Sequence, residues 1–176
     1  MHLSSQEEYG LRCLLQLARH EGTGPMRIQE IADLEGLTPE YVAKLMRILR
    51  KGGVVTSTRG AAGGYHLERA AAEITLWDAI DILGGPMFPE SFCETHPGAL
   101  RDCVHSPGCS IRSVWRDLNN LLRTALSSVT VEDLKSGEQN SLAWLAGVAR
   151  GDEIAAAQHA TIGRVGKPGA DRGGQE

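Results

Sequence analysis

Apolar residues recur at helical spacing through the first part of the chain. Tyr9, Leu11, Leu14, Leu15, Leu17 and Ala18 form one stripe, with Ser4 and Ser5 ahead of it and Glu7 and Glu8 three residues further on. Each Ser–Glu pair fits a capping box, in which the hydroxyl accepts a backbone N–H and the carboxylate reaches back to the cap. The helix so predicted runs out at Glu21-Gly22-Thr23-Gly24-Pro25. Cys13 lies inside the stripe and reads as a small buried hydrophobe. Ile28, Ile31, Ala32 and Leu34 predict a second, short helix stopped by Gly36, with Leu37 filling the turn. Thr38 is a good N-cap and Pro39 a good first helical residue for a third helix through Tyr41, Val42, Leu45, Met46, Ile48 and Leu49, ended by Gly52-Gly53. Two short helices joined by a glycine-containing turn make a helix-turn-helix.

The period then changes. Val54-Val55-Thr56-Ser57-Thr58 reads as a strand, Arg59-Gly60-Ala61-Ala62-Gly63-Gly64 as a turn and Tyr65-His66-Leu67 as the return strand. A helix-turn-helix followed by a glycine-rich hairpin is a winged helix. Thr75, with Asp78 three residues on, caps a further helix through Leu76, Ala79, Ile80 and Leu83, which Gly84-Gly85-Pro86 breaks. From Ser110, the expected N-cap, one stripe (Ile111, Val114, Trp115, Leu118, Leu121, Leu122, Ala125, Leu126, Val129) persists for roughly 30 Å at helical rise. So long an apolar face cannot bury itself against so small a domain, and a second copy of the same helix is its natural cover, which predicts a symmetric homodimer. Thr130 to Leu134 starts a short turn, Gln139 to Ala149 a weak helix, and Arg150 to Glu176 reads as a mobile tail.

The expected fold is therefore mainly α with a small β-hairpin: a winged helix-turn-helix plus a long dimerisation helix. Residues 1–84 form the DNA-binding domain, 85–109 a cysteine-rich loop, 110–134 the dimerisation helix and following turn, and 135–176 a weakly helical to disordered extension.

Composition adds little until charge is placed along the chain. The net charge is −4, and no stretch approaches the length of a membrane span. The polar, acidic N-terminus is unlike a signal peptide, so a cytoplasmic protein is expected. Yet from Tyr41 to Leu67 there are five basic residues (Lys44, Arg47, Arg50, Lys51, Arg59) and no acidic one. An acidic chain has concentrated positive charge on one helix and its wing, as contact with the phosphates of double-stranded DNA requires. Thr38, Tyr41, Lys44 and Arg47 fall on the N-terminal half of that helix, where base edges and phosphates are reached. Arg59 at the wing tip is placed to enter a minor groove, with Gly60, Gly63 and Gly64 permitting the tight turn and close approach. Arg50 and Lys51 are expected to touch phosphates or solvent. Gly60 to Gly64 is a weak lookalike of a phosphate loop but lacks its Lys-Ser/Thr, and the chain shows no nucleophile elbow or catalytic pair of carboxylates, so no enzyme is expected.

The stretch Phe92 to Cys109 holds three of the four cysteines, Cys93, Cys103 and Cys109, with gaps of nine and five residues. It contains no apolar run able to build a strand or helix, so something else must order it. Clustered cysteines in a reducing compartment are metal ligands or redox thiols more often than structural disulfides. Thiolates suit iron–sulfur clusters and zinc. Zinc sites usually contain a close Cys pair, which these gaps do not offer. A structural zinc and a thiol–disulfide switch remain the alternatives.

The opening MHLSSQEEYGLRCLLQLA, the block IADLEGLTPEYVAKLMRILRKGGVV, the wing RGAAGGYHL and the following EITLWDAI resemble the Rrf-type family of bacterial transcription regulators, which includes iron–sulfur-dependent and nitric-oxide-sensitive members. The resemblance implies a dimeric winged-helix regulator, typically a repressor, that binds a pseudo-palindromic operator. It also implies that Cys93, Cys103 and Cys109 hold an iron–sulfur cluster, [2Fe–2S] slightly favoured over [4Fe–4S]. One cluster-binding branch of the family places a histidine three residues past the last cysteine, where this chain has Arg112, and a guanidinium cannot ligate. The fourth ligand is thus open among Glu8, at the position where some members present a carboxylate to the other protomer's cluster, the loop histidines His105 and His96, and a thiol or water.

Overall fold

A computed structural model of the chain describes residues 3–60, 63–85, 89, 92–100, 102–105 and 108–135. The expected segment Gln139 to Ala149 and the tail lie outside these residues. Helix α1 spans Ser5–Arg19 and α2 Ile28–Glu35. Helix α3 spans Pro39–Lys51. The hairpin is β1, Val55–Thr58, paired antiparallel with β2, Gly64–Leu67, in the register Val55–Leu67 and Thr58–Gly64. A 3-10 turn, Ala71–Glu73, leads to α4, Leu76–Gly84. The cysteine stretch carries a one-turn helix α5, Phe92–Thr95, followed by the long α6, Ser110–Ser127, and the short α7, Val131–Leu134.

Local chemistry explains most of these bounds. Of the two possible capping boxes before α1, Ser4 with Glu7 forms: the Ser4 side chain accepts from the Glu7 amide at 3.3 Å and the Glu7 carboxylate accepts from the Ser4 amide at 2.7 Å. Ser5 is the first helical residue, and Glu8 is left exposed on the helix surface. Gly36 takes the left-handed conformation, φ 65°, that ends α2 without a steric penalty. Thr38 caps α3, and Pro39 stands where a missing N–H costs nothing.

The core is one cluster in which α1 (Cys13, Leu14, Leu17, Ala18), α2 (Ile31, Ala32), α3 (Val42, Leu45, Met46, Leu49) and α4 (Ala79, Leu83) meet Val54, Val55 and Ile74. Leu34, expected on the apolar side of α2, is instead 60% exposed, because this short helix turns only Ile31 and Ala32 fully inward. The wing is tied to the body by backbone. Met26, two residues before α2, and Tyr65 exchange hydrogen bonds of 2.9 and 2.7 Å, an isolated antiparallel bridge between the body and the wing. The chain after α6 closes on the start of α4 in the same way, with the Leu76 amide donating to the Val129 carbonyl at 2.8 Å and the Val131 amide to Ile74 at 2.9 Å. Helix α6 leans on α4 but buries none of its own residues fully, and Ile111, Val114, Trp115 and Leu121 remain exposed.

At Gly64 a Cβ would fall on the Met26 carbonyl, where the wing strand meets the body. Gly64→Ala is therefore expected to destabilise the protein by about 1–3 kcal/mol, read as a lower urea midpoint with unchanged slope. An unchanged midpoint would mean that the wing can move off Met26 without loss.

Candidate nucleic-acid interface and cysteine centre

Helix α3 turns its apolar residues inward and its bases outward: Lys44, Arg47 and Arg50 are exposed, as is the cap Thr38. The Thr38 hydroxyl is engaged at the cap, accepting the Tyr41 amide at 3.3 Å. Tyr41 is half-buried. Its ring meets Tyr9 of α1 edge-on, centroids 6.0 Å apart, and the Lys44 ammonium stands 5.7 Å from its centroid. The aromatic ring thus props α3 against α1 and steadies Lys44 by a cation–π contact.

A second prop lies beside it. Arg12 of α1 donates from Nε to a Glu35 carboxylate oxygen at 2.6 Å and from a terminal nitrogen to the Glu35 carbonyl at 3.0 Å. Gln16 donates to the other carboxylate oxygen. The bond to Glu35 holds the Arg12 pKa above its ordinary value, and the nearby Glu8 charge adds to the effect.

Arg59 is exposed at the tip of the wing, beside Gly60 at φ 109°, a backbone state that L side chains rarely adopt. The Gly63 amide donates to the Gly60 carbonyl at 2.9 Å and closes the turn; a Cβ on Gly63 would strike the Thr58 carbonyl. The close approach that Gly63 and Gly64 permit is thus to the protein's own backbone. Arg50 has a role the sequence did not suggest: it donates to the Ser57 hydroxyl at 3.2 Å and so braces β1 against the end of α3.

The cysteine stretch differs from the expectation in two respects. It does contain a helical turn, α5, whose apolar member Phe92 is 41% exposed and stacks on His96, centroids 4.2 Å apart. Local contacts of this kind can hold one turn without a core. Second, the N-cap of α6 is Cys109 rather than Ser110: its Sγ accepts the Arg112 amide at 3.4 Å, the bond a cap hydroxyl would otherwise take. Ser110 is the first helical residue. Cys103 and Cys109 are half-buried free thiols. Cys93 lies on α5, and its side chain is outside the described residues. His105 is exposed in the turn after Cys103, and Glu8 is exposed on α1. Among the described residues no three of these side chains are gathered about a point. Cys13 stands apart: it is fully buried on α1, and burial pushes its thiol up to about 12, so it stays protonated at neutral pH. That suits a core residue and not a ligand.

The donor chemistry fits an iron–sulfur cluster. Three soft sulfur donors lie on a polar stretch, and one of them already accepts a backbone N–H, the kind of hydrogen bond that tunes a cluster's potential.

A helix-turn-helix backed by a hairpin wing, with its basic residues on the outward face, defines a winged-helix DNA-binding protein. The chain belongs to the Rrf2 family, whose model, described as an iron-dependent transcriptional regulator, matches residues 3–137. It is 35% identical over 134 residues to protein rrf2 of Nitratidesulfovibrio vulgaris, spanning 76% of this chain and 87% of that one. Among solved structures it resembles CymR, the global cysteine regulator of Bacillus subtilis (TM-score 0.61, 33% identity, 77% of this chain and 97% of that one). It resembles IscR of T. potens equally (TM-score 0.61, 31% identity, 79% and 90%). The protein is thus a DNA-binding transcription regulator and not an enzyme. Among the described residues no helix is long and apolar enough to cross a membrane.

The Arg50–Ser57 brace and the tip residue Arg59 make one prediction together. Arg59→Ala is expected to weaken operator binding on the order of tenfold, about 1.4 kcal/mol. Arg50→Ala is expected to weaken it too, but by much less when Arg59 is already absent, because its effect passes through the wing. A gel-shift titration of the two single variants and the double variant checks this. Full additivity would make Arg50 an independent phosphate contact.

Proposed function

We propose that the protein is a homodimeric transcription regulator whose operator binding is controlled by an iron–sulfur cluster on Cys93, Cys103 and Cys109. The observation that carries this reading is the place of Cys109, which is at once the last thiol of the cysteine stretch and the N-cap of α6. A bound cluster would tie three distant points of the stretch together, a constraint that a polar segment cannot supply by packing. The chain's own residues do the rest. Cys109 fixes the first turn of α6, and α6 offers Ile111, Val114, Trp115 and Leu121 to a second copy of itself. α4, on which α6 leans, carries the position of that dimer seam into the winged helix.

In the dimer the two α3 helices enter successive major grooves, with Lys44 and Arg47 on phosphates or base edges and Arg59 in the flanking minor groove. The spacing of the two half-sites is set by α6. Loss or modification of the cluster under iron starvation, oxidation or nitric oxide frees the stretch before Cys109 and alters that spacing. A second reading gives the same thiols to a disulfide switch or a structural zinc, since sulfur donors suit either.

Protein purified without oxygen is expected to be brown, with matched iron and sulfide. Cys93→Ala, Cys103→Ala and Cys109→Ala should each lose the iron, whereas Cys13→Ala should keep it. The loaded and cluster-free forms should differ in operator affinity by tenfold or more in a gel-shift titration. Equal affinities would sink the coupling, and a colourless protein containing zinc would replace the cluster with a structural site.

Sedimentation equilibrium is expected to give a dimer, and Leu121→Glu, which puts a charge on the apolar face, should give folded monomers with intact far-ultraviolet dichroism. A wild-type monomer at micromolar concentration would remove α6 from the account.

A further inference from the structure

We propose that Glu40, in the first turn of α3, is a specificity-determining residue: its carboxylate accepts a hydrogen bond from the N4 amino group of a cytosine in the major groove. The proposal rests on the docking of α3 proposed above and is independent of the cysteine centre. Three observations carry it.

The first is the stripe on which Glu40 stands. Glu40, Lys44 and Arg47 are all exposed, while Val42, Leu45, Met46 and Leu49 of the same helix are buried. Positions i, i+4 and i+7 share one helix face. The carboxylate therefore lies on the outward face with the two basic residues. It stands at the N-terminal end, the part of a recognition helix that contacts base edges.

The second is that the carboxylate is unused within the protein. Among the described residues the Glu40 side chain enters no ion pair and no hydrogen bond. Lys44, four residues on, is spaced for a helical ion pair with it. The Lys44 ammonium instead stands 5.7 Å from the centroid of the Tyr41 ring. The cap of α3 does not need Glu40 either, because the Thr38 hydroxyl accepts the Tyr41 amide at 3.3 Å.

The third is the rest of that turn. Pro39 has no polar side-chain atom, Val42 is buried, and the half-buried Tyr41 ring is packed edge-on against Tyr9. Glu40 carries the one charge of the turn.

The chemistry of a carboxylate selects the base. An ionised carboxylate only accepts hydrogen bonds, and phosphates repel it. Inside a groove it must meet a donor or lose its hydration without replacement. The major groove offers such donors on adenine, at N6, and on cytosine, at N4. Adenine sets the acceptor N7 beside its amino group, against the second carboxylate oxygen, whereas cytosine sets a C–H there. Guanine and thymine present acceptors in that groove and no donor. Glu40 thus favours cytosine and penalises the other bases.

A carboxylate in the first turn also suits the helix dipole. That role acts on folding and leaves base preference unmoved, which separates the two by experiment. The test uses the full chain purified without oxygen, in whichever of its loaded and cluster-free forms binds DNA more tightly. Binding sites are selected from random duplexes by the wild type, Glu40→Ala, Glu40→Gln and Arg47→Ala, and each protein's urea midpoint is measured. The wild type is expected to enrich a half-site containing one cytosine that Glu40→Ala no longer enriches, with the other positions kept. Glu40→Gln, close in shape and uncharged, guards against a folding defect and should shift that position toward adenine, whose N6 and N7 suit a side-chain amide. Replacing the cytosine pair in the selected site should weaken wild-type binding about tenfold and Glu40→Ala binding less than about twofold in a gel-shift titration. Half-sites unaltered in both Glu40 variants overturn the assignment, and a lowered midpoint beside them leaves Glu40 with the dipole role alone. In that case a half-site altered by Arg47→Ala keeps the docking of α3. If Arg47→Ala also selects the wild-type site, or the wild type enriches no sequence, the docking falls as well.

Discussion

The arrangement of the helix-turn-helix depends on how the Glu35 carboxylate is held. Its side chain is only 7% exposed, at the end of α2 where the chain turns toward α3. A carboxylate so placed must be paired, because leaving a buried charge alone costs several kcal/mol. Arg12 and Gln16, one turn apart on α1, occupy both its oxygens, and Arg12 also takes the Glu35 carbonyl, one of the orphaned acceptors of the helix end. Arg12 is 42% exposed, so solvent screens the attraction and the pair adds little net stability of its own. Its effect is geometric. It fixes the turn between α2 and α3 against α1, and the Tyr9–Tyr41 contact fixes the first turn of α3 beside it.

α1 is therefore the frame, and α4 is the element that reads its position from the other side. The Gln6 amide donates to the Leu83 carbonyl. Gly10 leaves the gap that the Leu83 side chain fills, and Gly52 at the end of α3 leaves one for Ile82. A side chain at either glycine would push α4 away. Because α4 touches α1, α3 and α6, a displacement of α6 has a packed route to the DNA-reading helix, with no long loop in between. The backbone bridge between Thr75 and Thr130 closes the route at the far end of α6.

Much of this was legible in the sequence, and what was not has a physical reason. The caps at Ser4, Thr38 and Thr75 and the stop at Gly36 were readable because capping is local chemistry. Cys13 was readable because a thiol inside an apolar stripe is a core residue. The choice between Glu7 and Glu8 was not, since both satisfy the same spacing. Leu34 misled because a helix of eight residues presents too few turns for periodicity to identify its buried face. The Arg50–Ser57 brace joins residues seven apart through a hairpin whose geometry no spacing rule encodes. The Cys109 cap was missed because Ser is the stronger cap by propensity, and Ser110 stands next to it.

If Cys109 is a ligand as proposed, its place as the cap of α6 raises a question of magnitude. A helix cap is worth about 0.5–2 kcal/mol. Two protomers make that about 1–4 kcal/mol if both caps change together. Driving a two-state equilibrium from almost wholly one form to almost wholly the other takes about 5.5 kcal/mol. The cap alone therefore falls short of a switch. The remainder must come from ordering the stretch before it, where each residue fixed or freed is worth about 1–2 kcal/mol of backbone entropy. Ordering the turn at Val104 and His105 through ligands on both sides would involve such residues in each protomer. On these magnitudes the wide gaps between the cysteines are an advantage. A tight Cys-x-x-Cys knuckle would order only the residues between its ligands, whereas on the proposed reading gaps of nine and five would make far more chain conditional on a bound centre.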